Sequence, residues 1–295
     1  MKQHDILGRA TFHNIAPKRV TKLTPRAIRW LKHIERHGAQ SSDYLHGLTN
    51  DTHRCADTAR RQMQKLRAGG YLRLPQQQRA TEHADFNPFI YDLTAKAEKA
   101  LVDLGIAEDT TRPTGHWWHA YMTSCVTSSI DIASNRVGVR YIPAHKILAI
   151  KQSSLAVQIG QQKLIADQLF ALDYGGSFRA FMLEVDRGTE PKISVTARKS
   201  YAKAIEQYRK LVEQEIYKKH FGLKANLLIL WVFNSRSNEM RFLDMVDKFG
   251  GKLASVTLTQ SWPEWQNRII PRGINQELYQ GIWSRAAGDP VRISG

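Results

Sequence analysis

Residues 181–186 read Phe-Met-Leu-Glu-Val-Asp, and residues 165–170 read Ile-Ala-Asp-Gln-Leu-Phe. Side chains alternate faces along a strand, so Phe181, Leu183 and Val185 share one face while Glu184 and Asp186 share the other. Asp167 interrupts the second apolar run, between Ile165-Ala166 and Leu169-Phe170. If the two strands are neighbours, three carboxylates converge. Like charges that close repel, and burying them unpaired is costly. A divalent cation that neutralises them makes sense of the pattern, and all-oxygen ligation suits Mg2+ or Mn2+. Such an ion polarises a phosphodiester and lowers the pKa of a bound water. Taken singly, a Glu-x-Asp pair on a strand is more often a solvated face. An Asp between apolar residues is more often a strand end or turn. Together, on successive strands of a basic chain, they point to a site.

Outward from these strands the pattern is mixed. Trp117 to Ala133 reads as a helix, followed by strand-like segments at His145–Lys151, Leu155–Ile159, Leu164–Leu172 and Phe181–Arg187. Thr196 to about Lys219 reads as one long amphipathic helix that buries Tyr201, Ala204, Ile205, Tyr208, Leu211, Val212 and Ile216. A strongly apolar strand (Asn226–Phe233), a helix (Asn238–Phe249), Gly250-Gly251 and a strand at Leu253–Thr259 complete the order. This is an α+β or α/β arrangement around a mixed sheet, in the order of a restriction-endonuclease-like core. From Gln260 onward no clear element is expected.

Nearer the start, Thr24-Pro25 signals a helix N-terminus, with Ala27, Ile28, Leu31 and Ile34 at helical spacing and Gly38 as its end. Ser41 or Ser42 caps a second helix through Leu48, and Asn50 or Asp51 opens a third that ends before Gly69-Gly70. On the third helix Ala56, Ala59, Met63 and Leu66 form an apolar stripe, opposite Arg54, Thr58, Arg61 and Lys65. Strands at Tyr71–Leu74 and Pro88–Tyr91, joined by a Gln-rich turn, precede a helix from Thr94. This is the winged-helix order. There the third helix enters the major groove, and wing residues such as Arg73 and Arg79 reach flanking phosphate. The domains expected are an arm (1–23), a winged helix (24–108), an endonuclease-like domain (116–260) and an extension (261–295).

Charge supports the same partner. The formal net charge is +16, with 16 Lys+Arg against 5 Asp+Glu in residues 1–79, 3 against 7 in 80–112, and 24 against 15 beyond. Two basic blocks fit two modules on double-stranded DNA, where each neutralised phosphate releases counterions. Cys55 and Cys125 lie far apart, which argues against a disulfide framework or zinc ribbon. No apolar run approaches the roughly 20 residues of a membrane helix, and Met1–Ala10 lacks the apolar core of a secretion signal. A cytoplasmic protein without membrane contact is expected.

Residues 165–170, the run Phe181-Met182-Leu183-Glu184-Val185-Asp186-Arg187-Gly188-Thr189-Glu190-Pro191, then Arg198-Lys199 and Tyr201, resemble the core motif of the plasmid replication-relaxation family. That family includes the MobC-type mobilisation relaxases, related to PD-(D/E)XK restriction endonucleases. The resemblance spans about residues 24 to 260, and Glu184–Pro191 is its specific part. It implies a site-specific, metal-dependent nick in one strand at a plasmid or mobile-element origin, in the company of other relaxosome or replication proteins. By position, Asp167, Glu184 and Asp186 would be the metal-binding set. Two departures from the wider nuclease pattern stand out. Ala166 occupies the place where Pro often precedes the first Asp, and Asp186 the place of the usual Lys. The residue that stabilises the pentavalent phosphate is therefore open: Lys199 is the first candidate, with Arg187 and Lys192 as alternatives.

Other side chains weigh less. His116 and His119 flank Trp117-Trp118, where helix capping or packing competes with an accessory role for His119. Tyr201 and Tyr208 sit on an apolar stripe, which favours packing over a covalent DNA intermediate. Trp262, Trp265 and Trp283 could stack on unpaired bases. The competing reading is a replication accessory or repressor that binds DNA without cutting it, and the missing Lys at position 186 is its best support. RNA processing fits the charge but is not favoured by a winged helix.

Overall fold

The computed structural model describes residues 21–52, 54–79, 88–111, 116–188, 200–263 and 273–295. The chain divides into two compact units. The first comprises Met1–Arg112, His116–Ile132 and Ile270–Ile274; the second comprises Pro113–Gly115, Ala133–Ile269 and Asn275–Gly295.

In the first unit, helix α1 (Pro25–His37) starts where Thr24 accepts a hydrogen bond from the Ala27 N–H, with Pro25 at its first position. Strand β1 (Gln40–Ser41) leads into α2 (Ser42–Leu48), whose cap is Ser41. Helix α3 (Ala56–Ala68) begins later than the capping residues Asn50 and Asp51 suggest. Those residues form a turn instead, in which the Asp51 carboxylate pairs with Arg29 at 3.2 Å and the Thr52 hydroxyl donates to the Thr49 carbonyl. The cap position falls to Cys55, with no side-chain bond. Strand β2 (Leu72–Arg73) follows. The expected Gln-rich turn is a short helix, α4 (Gln76–Arg79). Its buried Gln78 accepts from the Ile90 N–H and donates to the Pro88 carbonyl, pinning strand β3 (Ile90–Leu93). Helix α5 (Ala95–Asp103) is capped by Thr94. The three strands pair antiparallel in the order β1-β3-β2. Trp30, Leu31, Ile34, Leu45, Ala59, Met63, Leu66, Tyr91 and Leu101 make the core beneath them.

Helix α6 (Trp117–Arg136) was read from sequence as the opening of the second domain, yet its residues through Ile132 group with the first unit. It is buried without a break from Tyr121 to Ser134. Hydroxyl side chains carry part of that burial: Ser124 bonds Gln40, and Ser129 bonds Tyr44. A helix so rich in Ser and Thr gives no apolar stripe to read, so its partner was not legible.

The second unit is a six-stranded mixed sheet, ordered β11-β10-β9-β8-β7-β4, with a separate hairpin of β5 and β6. Its elements are β4 (Arg140–Pro143), α7 (Ala144–Leu148), β5 (Ala156–Ile159), β6 (Gln162–Ile165), β7 (Gln168–Asp173), β8 (Phe178–Asp186), α8 (Tyr201–Glu213), α9 (Ile216–Phe221), β9 (Leu227–Phe233), α10 (Arg236–Phe249), α11 (Leu253–Val256), β10 (Thr257–Ser261), α12 (Glu277–Gln280) and β11 (Ser284–Arg285). Strands β8, β9 and β10 run parallel; β4, β7 and β8 alternate antiparallel.

Four expectations change here. His145–Lys151 is not a strand: Pro143 leads into α7, which buries Ala144, Ile147 and Leu148 at helical spacing. The long helix expected over 196–219 ends at Glu213, where Glu215 turns left-handed (φ 50°); residues 196–199 lie outside the described chain. Leu253–Val256 is a helical turn, and the strand begins at Thr257. Beyond residue 260, α12 and β11 do form, and Trp262 and Trp283 are buried rather than available for base stacking. The Trp283 indole donates to the Leu278 carbonyl. Trp265 lies outside the described residues. Among the described residues no helix is long and apolar enough to cross a membrane.

Candidate active site

One face of the sheet carries Leu169, Ala171, Ala180, Met182, Trp231 and Phe233 into the core beneath α8 and α10. Strand alternation puts Glu184 and Asp186 on that same face as Ala180 and Met182. Parallel pairing sets Glu184 beside Trp231 and Asp186 beside Phe233. Both carboxylates are buried, at 1% and 2% exposure.

Helix α8 supplies their donors. The Tyr208 hydroxyl donates to Glu184 Oε1 at 2.6 Å, and the Tyr201 hydroxyl donates to Asp186 Oδ2 at 2.5 Å. The two tyrosines are buried on the apolar stripe, as their spacing implied. Their rings stand edge-on to the aromatic layer: Tyr208 to Trp231, Tyr201 to Phe233 and Phe242. A buried phenol needs a hydrogen-bond partner. That requirement was the available signal linking the helix to the acidic strand, and the sequence reading did not use it.

Asp186 also turns the chain. Its Oδ1 accepts from the Gly188 N–H at 2.9 Å, an Asx turn. Gly188 has φ 76°, and a Cβ there would meet the Asn234 amide at 2.7 Å. Asn234 itself donates to the Arg187 carbonyl, so strand β9 clamps the turn that leaves the site.

Asp167 lies in the gap between β6 and β7. The last ladder pair before it is Gln168 with Leu183, and Asp167 stands in the bend just beyond. Its Oδ2 accepts from the Val185 N–H at 2.7 Å, beyond the end of β7. The side chain thus continues the ladder where the backbone has stopped. The interruption in the apolar run is therefore a strand end with a defined bond.

Glu184 and Asp186 share one face of β8, and Asp167 reaches the same strand through the Val185 N–H between them; as residue types these are all-oxygen donors. Their oxygens are not drawn tight, however. Among the described residues, the group of His, Cys, Asp and Glu with ligand atoms all within 4.8 Å of one another is His33, His37 and Asp131, in the first unit. Sequence reading missed that cluster. The i, i+4 histidines of α1 were its visible half.

Lys199 and Lys192 fall outside the described residues; Arg187 is half-buried at the turn. His119 belongs to the first unit, in the first turn of α6. On α3, Arg61 and Lys65 are exposed and Thr58 half-buried, opposite the buried Ala59, Met63 and Leu66; Arg54, expected on the same helix, is exposed but lies before it, because α3 starts only at Ala56. Arg73 is exposed but pairs with Asp92 across the β2–β3 ladder at 2.8 Å. Arg79 ends α4, and its side chain is not among those described.

The replication-relaxation family model matches residues 31–227. No curated protein matches the chain. Among solved structures, the SdaI restriction endonuclease aligns at 12% identity over 85% of this chain and 91% of that one. Its TM-score of 0.29 is too low for the likeness to carry an argument.

Proposed function

This chain belongs to the replication-relaxation family, and on that premise we propose that it is a metal-dependent DNA endonuclease that nicks one strand at a plasmid or mobile-element origin. In this reading it is a MobC-type relative of the PD-(D/E)XK nucleases. The observation that carries the reading is the acidic end of β8: buried Glu184 and Asp186, with Asp167 bonded to the Val185 N–H between them. A buried carboxylate needs partners, and here Glu184 accepts from the Tyr208 hydroxyl while Asp186 accepts from the Tyr201 hydroxyl and the Gly188 N–H. Placing two such groups on one face beside a third acid is what a cation site needs.

Asp167, Glu184 and Asp186 would hold the ion. When bound, Mg2+ or Mn2+ would polarise a phosphodiester and lower the pKa of the attacking water. Tyr201 and Tyr208 orient the carboxylates, and the clamped turn at Gly188 fixes where the chain leaves them. Lys199 remains the proposed cationic partner of the phosphate, with Arg187 and Lys192 as alternatives.

The first unit, in this reading, is a winged helix. Its α3 would enter the major groove with Thr58, Arg61 and Lys65, and Arg54 just ahead of the helix, while Arg73 and Arg79 flank the duplex on the wing. The net charge of +16 favours such a partner. Cytoplasmic location and association with other relaxosome or replication proteins follow from the same reading. His119 is at most an accessory.

One observation favours a second reading, a DNA-binding replication accessory or repressor without cleavage. Asp167 is engaged as a strand-end acceptor for Val185, and the three acids are not gathered to ligand spacing. The test is conversion of supercoiled plasmid carrying the cognate origin to open circle in Mg2+ or Mn2+. Asp167→Ala and Glu184→Ala should abolish nicking while leaving DNA binding intact. Equal nicking by wild type and both variants removes the site assignment. Binding without nicking in any divalent metal leaves only the second reading.

A further inference from the structure

The buried group on α1 and α6 is the tightest assembly of metal-type ligands among the described residues. His33, His37 and Asp131 are 4%, 2% and 2% exposed. His37 Nε2 lies 2.7 Å from Asp131 Oδ2, and His33 Nδ1 lies 3.8 Å from the same oxygen. The other nitrogen of each ring rests on a hydroxyl of α6: His33 Nε2 on Ser128 at 2.6 Å, His37 Nδ1 on Thr127 at 2.9 Å. A ligating histidine is oriented in this way, with its outer nitrogen bonded to oxygen and its inner lone pair aimed at the ion.

His37 Nε2 and Asp131 Oδ2, 2.7 Å apart, share a hydrogen bond, and a divalent ion bound there would take the place of its proton.

We propose that His33 Nδ1, His37 Nε2 and Asp131 Oδ2 form a binding site for a borderline divalent metal of the Zn2+ class, joining α1 to α6 within the first unit. Two imidazoles and one carboxylate are a zinc-type donor set, distinct in chemistry from the all-oxygen corner of the second unit. A water or hydroxide completes the tetrahedron. Arg36 is the group the ion must tolerate, with Nη1 3.3 Å from the ligand oxygen. Its two shorter bonds to Glu108, at 2.8 and 3.1 Å, keep it held there.

The test is a Co2+ titration of the full chain in excess Mg2+, which saturates oxygen sites without displacing a nitrogen-bound ion. The expected result is one equivalent of intense visible d–d absorption of tetrahedral type, displaced by Zn2+, with a rise in Tm on adding Zn2+ and its reversal by a chelator. His33→Asn and Asp131→Asn should lose the absorption. Arg36→Met should tighten Co2+ binding by about tenfold or more, because a like charge beside the ligand oxygen is removed. A purely structural Arg36 would not move affinity in that direction. No absorption and no Zn2+-dependent Tm change in the wild-type chain overturns the proposal and leaves a proton as the bridging cation. Absorption that persists in both Asn variants places the metal elsewhere and overturns it equally. Neither outcome depends on whether the chain cuts DNA.

Discussion

At the scale of single residues, the buried acids of the second unit are held in phenol–carboxylate pairs. Tyr208→Phe removes the donor to Glu184 Oε1 and little volume. We expect a loss of about 1 to 3 kcal/mol in chemical denaturation, since a buried acceptor loses one of its donors. A Tyr208→Phe chain as stable as wild type would mean the hydroxyl contributes nothing to holding Glu184. In the first unit, Glu108 sits between Lys32 at 3.2 Å and Arg36 at 2.8 Å. Burial raises its carboxyl, but the bond and charge of Arg36, then Lys32, prevail and hold it at about 2, below its ordinary 4.5. The folded pKa is depressed, so this contribution is full above pH 4.5 and disappears as pH falls toward 2. It amounts to up to about 3 kcal/mol at neutral pH. Glu108→Gln should lower Tm at pH 7 and converge with wild type near pH 2. A difference in Tm that is independent of pH would remove the ion pair as its cause.

At the scale of elements, α3 and α6 are the instructive pair. Helix α3 is an ordinary amphipathic helix, with Ala59, Met63 and Leu66 inward and Arg61 and Lys65 outward. If it lies in the groove, Arg61→Ala and Lys65→Ala should each weaken DNA binding and reduce the slope of log K against log salt by about 1. Unchanged slopes in both variants would move the DNA contact off this helix. The buried side of α3 was legible because its period is that of a helix with one wet face. Helix α6 was legible as a helix and nothing more. Its Ser124, Thr127, Ser128 and Asp131 look solvated in sequence, yet they are buried against α1 and bond its side chains and those that follow. Polar burial leaves no periodic apolar signature. A different limit hides α7: its apolar run is short, and over five residues the strand and helix periods are hard to separate.

For the whole molecule, two units share a chain of strongly basic balance, and each closes its own core. The family match over residues 31–227 runs through both, from α1 to the start of β9. The likeness to that family was carried in sequence by residues 181–191, the end of β8 and the start of the stretch beyond it. The acids of this run are where the chain's strongest functional reading lies.

Alternation along β8 was decided by sequence alone, because a strand's two-residue period leaves Glu184 and Asp186 no choice but a common face. So were the caps at Thr24 and Thr94, which need only a side-chain oxygen three residues from an N–H. Tertiary structure alone decided that Asp167 bonds the Val185 N–H, that two phenols from α8 reach the buried acids, and that α1 and α6 enclose two histidines around Asp131. These are meetings between segments from 15 to 98 residues apart. No local period encodes them; they arise when burying apolar surface brings distant elements together and each buried polar atom then has to find a partner.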